Sequence, residues 1–324
     1  MSVRIIKKGL LDTIQDTGRY GYQHVGINPN GAMDGIAAAI ANMLVGNNFN
    51  EPVIEMHFPA ASFLFESEAL IALSGAHFGA TINKEPVIIN SAIRVSKNSL
   101  LEFTKHIKGA RCYLAVQGGW QSEKWLGSYS TNLKINAGGH EGRALKKDDF
   151  LNFKQEQNFS FLQRIKKAVE VNIAVDVSSF YHLNAIRCIR GEGYKQLNDT
   201  SKKIFSSSLF TITPQSDRMG FRLHGEPLML TTKQELLSSA VTGGAIQLLP
   251  SGQMIVLMAD HQTTGGYTIV AHIASADMPS LAQKNTNEKI NFELIEHDEA
   301  EIFFIEQQQQ LIFLKEKIAA MQLQ

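Results

Sequence analysis

Residues 79–87 read Gly-Ala-Thr-Ile-Asn-Lys-Glu-Pro-Val, and residues 220–228 read Gly-Phe-Arg-Leu-His-Gly-Glu-Pro-Leu. A glycine, an aliphatic residue three places on, and Glu-Pro-aliphatic after that recur at the same offsets. Downstream of each copy stands a Gly-Gly-aromatic triplet, Gly118-Gly119-Trp120 and then Gly265-Gly266-Tyr267. Each half next offers a polar turn running into a strand that ends Asn-Phe, over Lys146–Phe153 and Asn285–Phe292. The same order met twice predicts an internal duplication, and so two related domains. The expected division is 1–160 and 161–324, with the polar stretch 155–167 at the joint.

Working outward from the repeat, most segments read as strands. Ile290, Phe292 and Leu294 alternate with Lys289, Asn291 and Glu293, the period of a half-buried strand. Ala69–Leu73, Val87–Val95, Leu100–Phe103, Cys112–Val116 and Met254–Met258 are short, β-branched or aromatic, and bounded by turn residues. Helices are few. Asp34–Val45 has Asp34 as N-cap, one face of Ile36, Ile40, Met43 and Leu44, and Gly46 at C′. Asp277 before Met278-Pro279 is a second plausible N-cap. After Asp298 a tail places Ile302, Ile305, Leu311, Leu314, Ile318 and Met321 at helical spacing, with Gln307–Gln310 as a solvated tract. The fold class is therefore mainly β, and closed barrels suit strand-rich halves because closure removes exposed edges.

The chain has 324 residues with 31 basic and 31 acidic side chains, a net charge of zero. That balance offers no electrostatic footprint for nucleic acid or an anionic membrane. No apolar run approaches the ~20 residues of a bilayer span, and no signal-like segment opens the sequence. Two distant cysteines, Cys112 and Cys188, make no disulfide framework. A cytoplasmic protein is expected. The Gly-x-x-x-x-Gly-Lys, Gly-x-Gly-x-x-Gly and Gly-x-Ser-x-Gly signatures are missing. The ten histidines lack metal-ligand spacing, and no Met-Lys-Met context marks a biotinyl lysine. The expectation is no metal and no tightly bound cofactor.

What stands out are polar, glycine-rich clusters. Gln15-Asp16-Thr17-Gly18-Arg19 mixes amide, carboxylate and guanidinium, either as ligand donors and acceptors or as a turn in which Asp16 binds its own backbone and Arg19. Asn28-Pro29-Asn30-Gly31 marks a turn before Asp34. Asp217-Arg218 sits before Met219-Gly220, read here as a strand that turns the two side chains to opposite faces. Asp260-His261-Gln262-Thr263-Thr264-Gly265-Gly266-Tyr267 follows the apolar strand 253–258, and polar residues at the end of a buried strand make the best site candidate.

These clusters, with Gly31-Ala32-Met33-Asp34, Asn42-Met43-Leu44-Val45-Gly46-Asn47 and Leu73-Ser74-Gly75-Ala76, resemble the family of the 5-oxoprolinase C subunit, also called the kinase-inhibitor antagonist family. That family is related to the allophanate hydrolase subunit 2-like carboxyltransferase region of urea carboxylase. The resemblance spans residue 9 to about residue 292. It implies two tandem cyclophilin-like β-barrel domains, and work with A-type and B-type 5-oxoprolinase partners. It also implies ATP-dependent hydrolysis of 5-oxo-L-proline to L-glutamate, with ATP and magnesium as co-substrate. Asp217, Arg218, Asp260 and Gln262 are then the expected catalytic residues. Gln15, Asp16, Arg19, His261, Thr263, Thr264, Gly265, Gly266 and Tyr267 are the expected substrate-binding ones. Arg218 is expected to bind a carboxylate or phosphate, so that Arg218→Ala abolishes activity while leaving folding intact. His261 stands where the family has Arg, and Thr268-Ile269 where it has Pro-Lys, so two positive charges are missing from that stretch. The other functions the resemblance allows are a regulatory antagonist of a B-type kinase inhibitor, and a carboxyltransferase using biotin carried by another chain.

Overall fold

The computed structural model describes residues 1–155, 174–181, 185–232 and 237–323. Apart from Gln155, the expected joint at 155–167 lies outside the described residues. The chain divides into two compact units whose segments interleave in sequence. One comprises Met1–Arg19, Asn30–Ser178 and Gln310–Gln324; the other comprises Tyr20–Pro29 and Ser179–Gln309. The fold is mainly β, with a C-terminal helix.

In the first unit two antiparallel sheets share one core. The six-stranded sheet runs Phe150–Asn152, Ser2–Lys7, Ser62–Phe65, Ser99–Phe103, Ala80–Ile82, Glu85–Pro86. The five-stranded sheet runs Thr13–Gln15, Val53–Met56, Lys108–Val116, Ala69–His77, Ala92–Val95. Val3, Ile5, Phe63, Phe65 and Leu101 from one meet Ile14, Ile54, Ile71, Leu73 and Leu114 from the other. Ala69–His77 is buried along most of its length because helix Gly35–Leu44 packs on it. That helix is capped as expected: Asp34 Oδ1 accepts from Ala37 N at 2.9 Å, and Gly46 takes φ +76° just past its end. It is buried from Ile36 to Leu44 rather than on one face. Of the expected strand Val87–Val95 only Ala92–Val95 forms; Ser91 Oγ closes a turn onto the Ile88 carbonyl at 2.7 Å.

In the second unit one short segment closes the sheet. Lys289–Ile290 pairs antiparallel with Phe210–Ile212, and Phe292–Leu294 pairs parallel with Ile186–Arg190. Those partners flank a continuous order of Phe210–Ile212, Gly220–His224, Met254–Leu257, Ala245–Leu248, Thr268–Ile273 and Ile186–Arg190. The run 289–294 thus joins both edges, and the sheet becomes a near-closed barrel. Ile290 and Phe292 point inward, 3% and 1% exposed, as the alternation predicts.

Several expectations are corrected. Helix Asp199–Ser207, capped by Asn198 Oδ1 accepting from Ser201 N at 2.8 Å, was not anticipated. Asp277 makes no side-chain cap to Met278–Ala282. It accepts instead from Arg187 N at 2.7 Å and pairs with the Arg187 guanidinium at 2.5 Å, beneath Phe303. In the C-terminal helix His297–Leu323, Leu311, Leu314 and Ile318 are buried, whereas Ile302 and Ile305 are exposed. Gln307 is not solvated; its Nε2 donates to the Ala276 carbonyl at 2.7 Å. The Gly-Gly-aromatic triplets are alike in sequence only. Gly118 and Gly119 adopt φ +77° and +82° and Trp120 is buried. Gly265 and Gly266 stay out of the left-handed region and Tyr267 is 45% exposed. Both cysteines are free and buried, and burial pushes both thiols up, that of Cys188 to about 12. Among the described residues no helix is long and apolar enough to cross a membrane.

Candidate functional site

The first-half cluster belongs to the first unit and is a buried polar network. Asp16 Oδ1 accepts from Gly18 N at 2.8 Å and from the hydroxyls of Ser128 and Ser130 at 2.6 Å each; Oδ2 accepts from Tyr129 N at 2.7 Å. Arg19 donates to Asn30 Oδ1 and the Ser130 carbonyl, and its guanidinium lies 4.8 Å from the centre of the Trp125 ring. Gln15 donates from Nε2 to Thr13 Oγ1 at 3.0 Å. All three are under 10% exposed, at 0%, 7% and 1% for Gln15, Asp16 and Arg19. Carboxylate and guanidinium here tie the 128–132 turn to strand Thr13–Gln15, a structural duty that accounts for their mixture of groups.

The second-half clusters meet within the second unit. Residues 216–219 form a turn rather than the expected strand, because Asp217 Oδ1 accepts from Met219 N at 2.8 Å and Gly220 N at 3.2 Å. The turn aims Arg218 at Asp260: Nε donates to Oδ2 at 2.9 Å and Nη2 to Oδ1 at 3.0 Å, a bidentate pair. The Asp260 backbone is held at both ends, its N–H by the Arg218 carbonyl at 2.8 Å and its carbonyl by Asn28 Nδ2 at 3.0 Å. Arg218 reaches this turn as half of an ion pair, 4% exposed, not as a free cation. This changes the expectation for Arg218→Ala, since the substitution strands a carboxylate.

Beyond Asp260 the turn bends outward. His261 is 3% exposed, with Nδ1 2.6 Å from the Gln262 carbonyl. Burial holds its imidazole below the usual histidine range, so it is neutral near pH 7. Gln262 and Thr263 are half-buried, while Thr264 and Tyr267 are exposed. None of these four makes a side-chain hydrogen bond among the described residues. A short ribbon, Ser239–Ala240 paired with Thr264–Gly265, holds the turn, and Val241 N donates to the Thr263 carbonyl at 3.1 Å. Free amide, hydroxyl and phenol groups on a braced turn, with the Arg218 and Asp260 charges paired off, suit a neutral polar group of a small ligand.

Two residues join this turn that the sequence alone had not placed there. Asn28 comes from the first half, in the segment Tyr20–Pro29 that packs with the second unit. Gln247 lies beneath Gly265; its sequence signal is an amide inside an otherwise apolar strand of Ala245, Ile246 and Leu248. Among the described residues no group of three or more His, Cys, Asp or Glu is placed to hold a metal ion.

Comparison with known proteins matches residues 25–294 to the model of the carboxyltransferase domain, subdomain A and B. The chain is 37% identical over 290 residues to the C subunit of 5-oxoprolinase from Escherichia coli (strain K12), covering 90% of each. It is 35% identical over 288 residues to the C subunit of 5-oxoprolinase from Haemophilus influenzae, covering 89% of each. Its fold matches the crystal structure of the K. lactis urea amidolyase with a TM-score of 0.85 at 24% identity, over 96% of this chain and 20% of that one.

Proposed function

Since this chain belongs to the carboxyltransferase domain, subdomain A and B family, we propose that it is the C-type subunit of a cytoplasmic, ATP-dependent 5-oxoprolinase. The observation that carries this reading is the 37% identity extending over 90% of both chains. The reaction opens the lactam of 5-oxo-L-proline to L-glutamate: water adds to the carbonyl carbon, the C–N bond breaks and the nitrogen takes a proton. An unstrained amide is a poor electrophile, so ATP is consumed to activate the lactam oxygen. The turn at 260–267 supplies groups for the lactam. Gln262, Thr263 and Thr264 can donate to its oxygen and accept from its N–H. Arg218 fixes the turn by holding Asp260, and acts as a positioning residue.

The same geometry argues for a division of labour. The Arg218 charge is cancelled by Asp260, His261 is neutral, and residues 259–269 contain no lysine or arginine. A triphosphate and the carboxylate of 5-oxo-L-proline both call for cationic donors, so this turn is left the lactam ring, and the nucleotide, its magnesium and the carboxylate fall to cations elsewhere in the assembly. Co-expression with A-type and B-type 5-oxoprolinase homologues should give a co-purifying assembly that releases glutamate from 5-oxo-L-proline only with ATP. An assembly that forms but releases no glutamate would remove the enzymatic reading and leave the regulatory antagonist. Carboxylation of urea with a biotin-carrying partner would replace it with the carboxyltransferase.

A further inference from the structure

Gln247 lies in strand Ala245–Leu248, opposite Ile255 on one neighbouring strand and Ile269 on the other. Its surroundings are apolar: Val241, Ala245 and Leu257 form a small core against which Ile255 and Ile269 pack. The side chain is 1% exposed, and its Nε2 has no hydrogen-bond partner among the described residues. A Cβ added at Gly265 would stand 2.4 Å from that nitrogen and 3.2 Å from Val241 Cγ1. The amide therefore presses against the Gly265 backbone, under the ribbon that holds the candidate turn.

A buried donor without an acceptor is unfavourable and rare in folded chains. Here no acceptor among the described residues meets it, and a side chain at 265 would push the amide aside. The donor is sealed by the ribbon as it stands, so the unmet bond is explained if that ribbon shifts and the acceptor arrives with a ligand. We propose that Gln247 is a ligand-binding residue of the 260–267 turn, its Nε2 donating to the carbonyl oxygen of a small lactam or planar amide. Val241 and Ile269 supply the apolar contact that a hydrocarbon ring needs, and residues 259–269 hold no free cation to favour a phosphate in its place. The assignment rests on the turn being the substrate site, as proposed above, and names the group that reads the substrate's carbonyl.

The test uses the full-length chain with ¹⁵N label, the Gln247 side-chain NH₂ pair being assigned by its loss in Gln247→Leu. Added 5-oxo-L-proline and 2-pyrrolidinone should each move that pair saturably, and acetate should not. In the assembly with its partners, Gln247→Leu and Gln247→Glu should each lower kcat/KM for 5-oxo-L-proline at least tenfold. Gln247→Leu should melt at or above the wild-type temperature, since it deletes an unpaired donor. A shift with urea but neither lactam would keep the Gln247 site and sink the 5-oxoproline reading. ATP-dependent glutamate release with no ligand moving the pair would keep that reading and overturn the assignment to Gln247. Full activity in Gln247→Glu, or lost activity with a lowered melting temperature in Gln247→Leu, would also overturn it.

Discussion

Removing the Arg218 guanidinium takes a hydrogen bond from each oxygen of Asp260, whose side chain is 13% exposed. Breaking one side of a buried pair costs about 3–5 kcal/mol, so Arg218→Ala should lose stability and activity together. Thermal unfolding beside kinetics checks this, and an unchanged melting temperature would count against the pair as the brace of the turn. A different residue sets a pH dependence. Burial pushes the Asp12 carboxyl from 3.8 up to about 7, opposed by the hydrogen bond its Oδ2 accepts from Ala61 N at 2.8 Å. The folded chain holds the proton more tightly than the unfolded chain does. The contribution of Asp12 to stability is therefore fullest below about pH 4, falls as pH rises toward 7, and levels off above it. The gap corresponds to about 4 kcal/mol. Asp12→Asn keeps an acceptor for Ala61 and cannot ionise, so its stability relative to wild type should climb between pH 4.5 and 7.5. Urea midpoints at those two values test the sign; a constant difference would refute it.

At the scale of elements, the run 289–294 does the most with the fewest residues. Phe292 is 1% exposed, its ring 5.0 Å from Phe205 in a stacked pair and 5.8 Å from Phe210. Phe292→Ala should cost about 3–5 kcal/mol, read as a lowered urea midpoint; a loss under about 1 kcal/mol would mean that closure depends on other contacts. This strand was legible in the sequence because Ile290 and Phe292 alternate with polar neighbours, and helix Gly35–Leu44 because Asp34 and Gly46 bracket it. Helix Asp199–Ser207 was not, since it buries only Ser201, Ile204 and Phe205 among lysines and serines. The candidate turn was legible as a polar run following an apolar strand. Its wiring was not: Arg218 and Asp260 are 42 residues apart, and spacing carries no trace of a pair made by folding. Asp277 looked like a cap and Gln307 like a solvated residue for the same reason. Their partners, Arg187 and the Ala276 carbonyl, lie 90 and 31 residues away.

For the whole molecule, the two units do not follow a single cut in the chain. Gln310–Gln324 counts with the first unit and Tyr20–Pro29 with the second. Fragments 1–160 and 161–324 expressed apart should each melt well below the intact chain, because each lacks a segment of its own unit. Circular dichroism on the fragments tests this; two fragments that melt like the parent would show that the exchanged segments contribute little. The barrel of the second unit has a related consequence for the order of events during synthesis. Ile186 emerges from the ribosome more than a hundred residues before its neighbour Phe292. Until that late strand appears, the sheet holds two open edges, and open edges are where nascent chains stick to one another. Protection by a chaperone would therefore matter most in the interval after strand Thr268–Ile273 is made and before residue 294 is free.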